Sequence, residues 1–159
     1  MTVKETSEKL KAKFPEAVLD VKTEGTLEPF VKLAPTQWKE IATFLRDDED
    51  LKFDSLMCLS GMDYGKNILG VVYNLFSMEK KHKVTVRIEV PVENAVIPSV
   101  ESVWGTADWH EREAYDMIGI TFTGHPDMRR ILCPDDWEGF PLRKDYKVPE
   151  YYQGMKVPY

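Results

Sequence analysis

The chain has 159 residues, 43% of them hydrophobic, and a formal net charge of −6 from 21 Lys and Arg against 27 Asp and Glu. A single domain of this length buries about two-thirds of its unfolded surface and can fold without disulfides or a structural metal. The acidic balance argues against nucleic-acid binding and against docking on an anionic bilayer. Cys58 and Cys133 are too few for an iron–sulfur cluster, an all-cysteine zinc site or a disulfide framework, which fits a reducing compartment.

Thr2 and Glu5 have the spacing of a capping box and predict a short helix carrying Leu10 and Phe14, ending before Pro15. The mixed charges of this N-terminal stretch do not make a signal peptide. Ala17 to Val21 and Pro29 to Leu33 read as strands, with Lys22 to Glu28 as the turn between them. Pro35 is expected to open a helix whose apolar stripe is Trp38, Ile41, Ala42 and Leu45. Its acidic exit, Arg46 to Asp50, lacks the pivot glycine of a calcium loop and reads as a solvated helix end.

Three strands follow, at Ser55 to Ser60, Ile68 to Met78 and Lys83 to Val90. The apolar run of the second is too short to span a bilayer. In the third, Val84, Val86, Ile88 and Val90 alternate with Thr85, Arg87 and Glu89, the pattern of a sheet with one wet face. His82 lies in the polar connection before it and reads as a turn residue. The order of elements predicts an α+β fold, a two-layer sandwich with helices on one side of a mixed or antiparallel sheet.

The character changes after Val90. Thr106 can cap a helix ending at Ile118, with Gly119 just beyond, and Asp108, Arg112 and Asp116 are spaced to pair along one face of it. Ile120 to Phe122 is a short strand and Gly124-His125-Pro126 a turn. From Asp127 the prolines at 134, 141, 149 and 158 recur too often for helix or sheet. The expected division is therefore an α+β domain over residues 1–126 and an extended C-terminal arm over 127–159, short of internal partners for its backbone.

The motifs of nucleotide cradles and nucleophile elbows are missing from the sequence. His110, Glu113 and His125 invite a metalloenzyme reading, but Ala114 stands where H-E-x-x-H needs its second histidine. Cys133 is a candidate reactive thiol only through the neighbouring Arg129 and Arg130. The informative stretch is Glu111 to Tyr146, where arginines and carboxylates interleave with Trp137, Phe140 and Tyr146. Arginine with aromatics is what interface cores enrich.

The run Glu111-Arg112-Glu113-Ala114-Tyr115-Asp116-Met117-Ile118-Gly119-Ile120 leads through Phe122 to Gly124-His125-Pro126-Asp127-Met128-Arg129-Arg130-Ile131-Leu132. It continues as Trp137-Glu138-Gly139-Phe140-Pro141-Leu142-Arg143-Lys144-Asp145-Tyr146. These residues resemble the signature of the C subunit of the proton-pumping NADH:quinone oxidoreductase, respiratory complex I. The resemblance implies a non-catalytic assembly subunit in the peripheral arm of that complex, on the cytoplasmic face of the bacterial inner membrane. It would support electron transfer from NADH to quinone coupled to proton translocation. The implied partners are the large quinone-site subunit and neighbouring cluster-bearing subunits, with membrane contact indirect. No cofactor is expected on this chain: NADH, FMN, iron–sulfur clusters and quinone would belong to other subunits. By the same resemblance Arg129, Arg130, Trp137, Arg143, Lys144, Asp145 and Tyr146 are the expected partner-interface residues. The equivalent subunit of a membrane-bound hydrogenase, or of another ion-pumping dehydrogenase, is the alternative within the family.

Overall fold

The structure is a computed structural model, described here for residues 1–157. Helix α1 (Val3–Lys13) starts at the capping box: Glu5 N–H donates to the Thr2 hydroxyl and Thr2 N–H to the Glu5 carboxylate. It leads into an antiparallel hairpin, β1 (Val18–Lys22) and β2 (Phe30–Leu33). Helix α2 (Trp38–Asp47) begins three residues later than the proline suggested, because Pro35 opens a turn that Trp38 N–H closes. Its stripe of Trp38, Ile41, Ala42 and Leu45 is fully buried, as the spacing predicts.

Strands β3 (Ser55–Gly65), β4 (Ile68–Phe76) and β5 (Lys83–Pro91) complete a five-stranded sheet of order β1-β2-β5-β4-β3. Only the β2–β5 pair in it is parallel, so the sheet is mixed. β3 runs five residues beyond the expected end, since register shifts at Leu56/Cys58 and Asp63/Gly65 disrupt its alternation. Lys66 and Asn67, both at positive φ, form the tight turn into β4, which matches the right-handed twist of paired strands.

Val84, Val86, Ile88 and Val90 of β5 meet Leu69, Val71, Tyr73 and Leu75 of β4 on the core side. The opposite face is less wet than the alternation suggested. The Arg87 guanidinium lies 3.9 Å from the centre of the Phe30 ring, and Lys32 pairs with Glu89 at 2.6 Å. His82 is not a free turn residue either. It is buried, its Nε2 sits 2.9 Å from the Leu51 carbonyl, and its ring packs edge-on against Phe53.

The helices cover the core side. Trp38 of α2 stacks on Tyr73 with ring centres 4.6 Å apart. Helix α3 (Ala107–Ile118) crosses β3 at Gly61, where an added Cβ would lie 3.1 Å from both Ala114 and Ile118. Thr106 precedes this helix but does not cap it: its hydroxyl donates to the Leu56 carbonyl instead. A strand that the residue pattern did not announce, β6 (Val96–Pro98), pairs in parallel with β7 (Thr121–Thr123). Beyond β7, the one regular piece among the described residues is a small hairpin, β8 (Tyr151–Tyr152) with β9 (Met155–Lys156), so prolines did not exclude strands there. Pro158 and Tyr159, the end of the expected arm, lie outside the described residues.

Candidate functional site: a carboxylate anchor beneath the C-terminal arm

An α-helix ends with four backbone carbonyls that have no partner within it. In α3 these are Tyr115, Asp116, Met117 and Ile118, and the arm supplies most of what they need. Gly119 N–H turns back to Tyr115 at 2.8 Å, and Leu142 N–H reaches Met117 at 3.0 Å. Arg130 Nη1 donates to the Asp116 carbonyl at 3.2 Å, and Arg143 Nε to that of Ile118 at 2.6 Å. Two guanidinium ions thus sit at the negative end of the helix dipole. Gly119 adopts φ +83°, and a Cβ there would come 2.6 Å from the Phe140 ring and 2.7 Å from Arg143. The glycine lets both side chains close over the helix end.

The Asp116 side chain is the centre of the arrangement and is fully buried. One oxygen accepts three successive backbone N–H groups, from Ile131 (3.0 Å), Leu132 (2.7 Å) and Cys133 (2.9 Å). The other takes Arg130 Nη1 at 2.6 Å. Burial pushes the carboxyl's pKa up, but these N–H donors and the guanidinium outweigh it and hold the pKa below the usual value. Arg130 also donates to the carbonyls of Trp137 and Gly139, at 3.0 and 2.9 Å, which fastens the next turn of the arm. Asp63 on β3 makes a second tie, accepting Lys144 N–H at 2.8 Å. That bond and the one from Gly65 N–H keep its pKa low.

The expectation that the arm lacks internal partners is therefore corrected. Its backbone from Ile131 to Lys144 is held by two carboxylates and a helix end of the same chain. The expected interface residues divide into two groups. Arg130 and Arg143 are half-buried and engaged within the chain, as are Trp137 and Tyr146, joined by an indole N–H to phenol bond of 3.1 Å. Arg129, Lys144 and Asp145 are exposed, with Arg129 paired to Asp127 at 3.0 Å. Beside them the arm and α3 expose Trp109, Leu132 and Leu142, each more than 60% accessible.

Asp108, Arg112 and Asp116 do not pair with one another. Asp108 meets His125, Arg112 reaches the Arg129 carbonyl and Asp127, and Asp116 takes Arg130. His110, Glu113 and His125 do not converge. Glu113 is exposed, and both His125 nitrogens are engaged, with the Asp108 carbonyl and with Asp127 N–H. No group of three metal-ligating side chains forms among the described residues. Cys133 is no activated thiol: burial and the nearby Asp116 charge raise its pKa. Sequence reasoning missed Glu111, whose side chain is fully buried in α3. It accepts Ser99 Oγ–H at 2.6 Å and Val100 N–H at 2.8 Å, while burial lifts its pKa to about 7.

Residues 31–152 match the family model described as respiratory-chain NADH dehydrogenase, 30 Kd subunit. The chain belongs to this family. A relative from Chloroherpeton thalassium, named as the C subunit of NADH-quinone oxidoreductase, is 57% identical over 94% of this chain and 63% of its own length. The protein of the same name from Chlorobium phaeobacteroides is 53% identical over 94% of this chain and 92% of its own. The chain thus spans slightly under two-thirds of the first relative and nearly all of the second. Among solved structures, the trypsin-resistant fragment (1-134) of Nqo5 superposes with a TM-score of 0.64 at 30% identity, covering 80% of this chain and 99% of that one. A chain of an archaeal membrane-bound sulfane sulfur reductase shares the fold, with a TM-score of 0.73 at 21% identity over 91% of this chain and 85% of its own. The family is named for an oxidoreductase complex, and this chain is one subunit of it.

Proposed function

We propose that the chain is a non-catalytic brace in the peripheral arm of NADH:quinone oxidoreductase. It holds the large quinone-site subunit against neighbouring cluster-bearing subunits. Electrons pass from NADH to quinone through FMN and iron–sulfur clusters carried by those other subunits, coupled to proton translocation. This chain carries no redox group and lies peripherally, on the cytoplasmic face of the inner membrane. The observation that supports the reading is the Asp116–Arg130 anchor. It fixes an irregular, proline-rich segment while leaving Trp109, Arg129, Leu132, Leu142, Lys144 and Asp145 facing outward. Exposed aromatic, arginine and leucine side chains on a rigid support are the ingredients of a binding surface.

The test is a double charge reversal, Arg129→Glu with Lys144→Glu, followed by co-purification from solubilised membranes. The isolated variant should melt as the parent does, since both side chains are exposed. The large quinone-site subunit should no longer accompany it. Undiminished co-purification would place the contact elsewhere.

A further inference from the structure

The five-stranded sheet has a second face that the helices leave uncovered. All three pack on the side of Val71 and Tyr73: Leu10 of α1 joins that core, Trp38 of α2 lies on Tyr73, and Ala114 of α3 meets Gly61. Strand alternation sends Met62, Ile68, Val72, Lys32, Arg87 and Glu89 to the other side. There Met62 is 41% and Ile68 36% exposed, and Val72 is half-buried.

The charges of this face are spent within the chain, with one exception. Lys32 takes Glu89 at 2.6 Å, and at the start of β5 Lys83 takes Glu28 at 2.8 Å. On the rim strand β1, Asp20 and Lys22 are exposed and of opposite sign. Arg87 makes no ion pair among the described residues, and its Nε is buried without a hydrogen-bonding partner. Its guanidinium lies 3.9 Å from the centre of the Phe30 ring and 5.3 Å from that of Tyr64. The Tyr64 ring is itself seated over Gly70, where an added Cβ would come within 2.8 Å of it, and its hydroxyl is also buried and unpartnered. The cation is thus held in one place, half out of water, without a counter-ion.

A partly buried charge with no counter-ion carries a desolvation cost that a carboxylate brought by another molecule offsets. Aromatic rings that fix the guanidinium in advance reduce the ordering such a partner must impose. Arginine, tyrosine and methionine are also residues that interfaces enrich. On a chain of net charge −6, this face presents an unmatched positive charge, so its complement is acidic at one point and apolar around it.

We propose that the open sheet face is a second docking surface, distinct from the arm. Its occupant is a segment of a neighbouring subunit that lays apolar side chains over Met62, Ile68 and Val72 and sets one carboxylate on Arg87. The proposal rests on the reading of the chain as a brace, which needs two surfaces.

The experiment compares Met62 in the isolated full chain and in the complex purified from solubilised membranes, by brief peroxide treatment and mass spectrometry. Met62 should oxidise readily alone and stay reduced in the complex. Equal oxidation would overturn the sheet-face proposal, while the charge reversal on the arm tests the brace separately. Protection of Met62 on merely concentrating the isolated chain would make the occupant a second copy and overturn the assignment. In a second measurement, parent and Arg87→Met chains are co-expressed, and their ratio in the complex is compared with that in the unassembled pool. The substitution keeps an apolar stem against Phe30 and removes the charge. The variant should be depleted from the complex by about 30-fold or more, the loss that truncating one side of a buried charge pair across an interface brings. Lys39→Met, at an exposed position of α2, should compete evenly. An Arg87→Met share equal to that of Lys39→Met would count against the carboxylate contact.

Discussion

Asp116→Asn isolates what the anchor contributes. The substitution keeps the shape of the side chain but removes the charge and turns one acceptor oxygen into an N–H donor. Three backbone N–H groups and the Arg130 guanidinium then face an amide that can satisfy only part of them. Breaking one side of a buried, hydrogen-bonded ion pair costs about 3–5 kcal/mol. For a chain of this length each kcal/mol lowers the melting temperature by about 2–4 °C, so a fall of about 6–20 °C is expected by differential scanning calorimetry. The loss should be concentrated in the arm. Limited trypsin digestion should cut the variant at Arg129, Arg130 and Arg143 much faster than the parent, because the backbone ties around these sites loosen. The pH dependence has a definite sign. Asp116 has a depressed folded-state pKa, so its stabilisation is complete above the unfolded carboxyl pKa of about 3.9 and is lost as pH falls through the lower folded value. Parent and variant should converge in stability under acid. A variant that melts within about 1–2 °C of the parent at neutral pH and resists trypsin equally would refute the idea that this carboxylate holds the arm.

Glu111 titrates with the opposite sign. Its folded pKa of about 7 lies above the unfolded value near 4.5, so its favourable contribution is complete below that value and disappears as pH rises through 7. Glu111→Gln should therefore gain on the parent by about 3 kcal/mol between about pH 4.5 and 8, measured by urea unfolding; a constant difference across that window would show that Glu111 does not titrate there. Gly119→Ala should cost several kcal/mol, combining strain at positive φ with collision against Phe140 and Arg143. Gly25→Ala, at φ +73° in open space, should cost about 1 kcal/mol, and equal losses in thermal melts would remove the packing argument.

Elements governed by short-range patterning were legible from the residues alone. The capping box at Thr2 and Glu5, the stripe from Trp38 to Leu45 and the alternation of β5 each put their chemistry within a few positions of one another. Where partners are distant, the same spacing misled. Asp108, Arg112 and Asp116 have ideal separations for a surface ladder, yet all three are claimed by residues 125–133. Burial decided between the readings, because a carboxylate inside a protein needs more donors than one arginine a turn away can give. β6 was hidden by its brevity and by Pro98, and β3 was cut short by its bulges. At the candidate site, the location of the interface-like composition was legible. What remained invisible was that half of its charges and aromatics are spent on the chain itself. His82 illustrates the same limit, since nothing around it in sequence announces the Leu51 carbonyl it meets.

The single parallel pairing in the sheet also sets the order of assembly. Phe30 through Leu33 must wait for Thr85 through Ile88, about 55 residues further along the chain, before β2 gains its inner neighbour. A parallel pair cannot be closed by a tight turn, and such distant contacts slow folding. During synthesis the first hairpin therefore leaves the ribosome with one flank open, a template for mispairing until β5 is made. Nascent fragments that end before residue 83 should therefore aggregate more readily than the full-length chain.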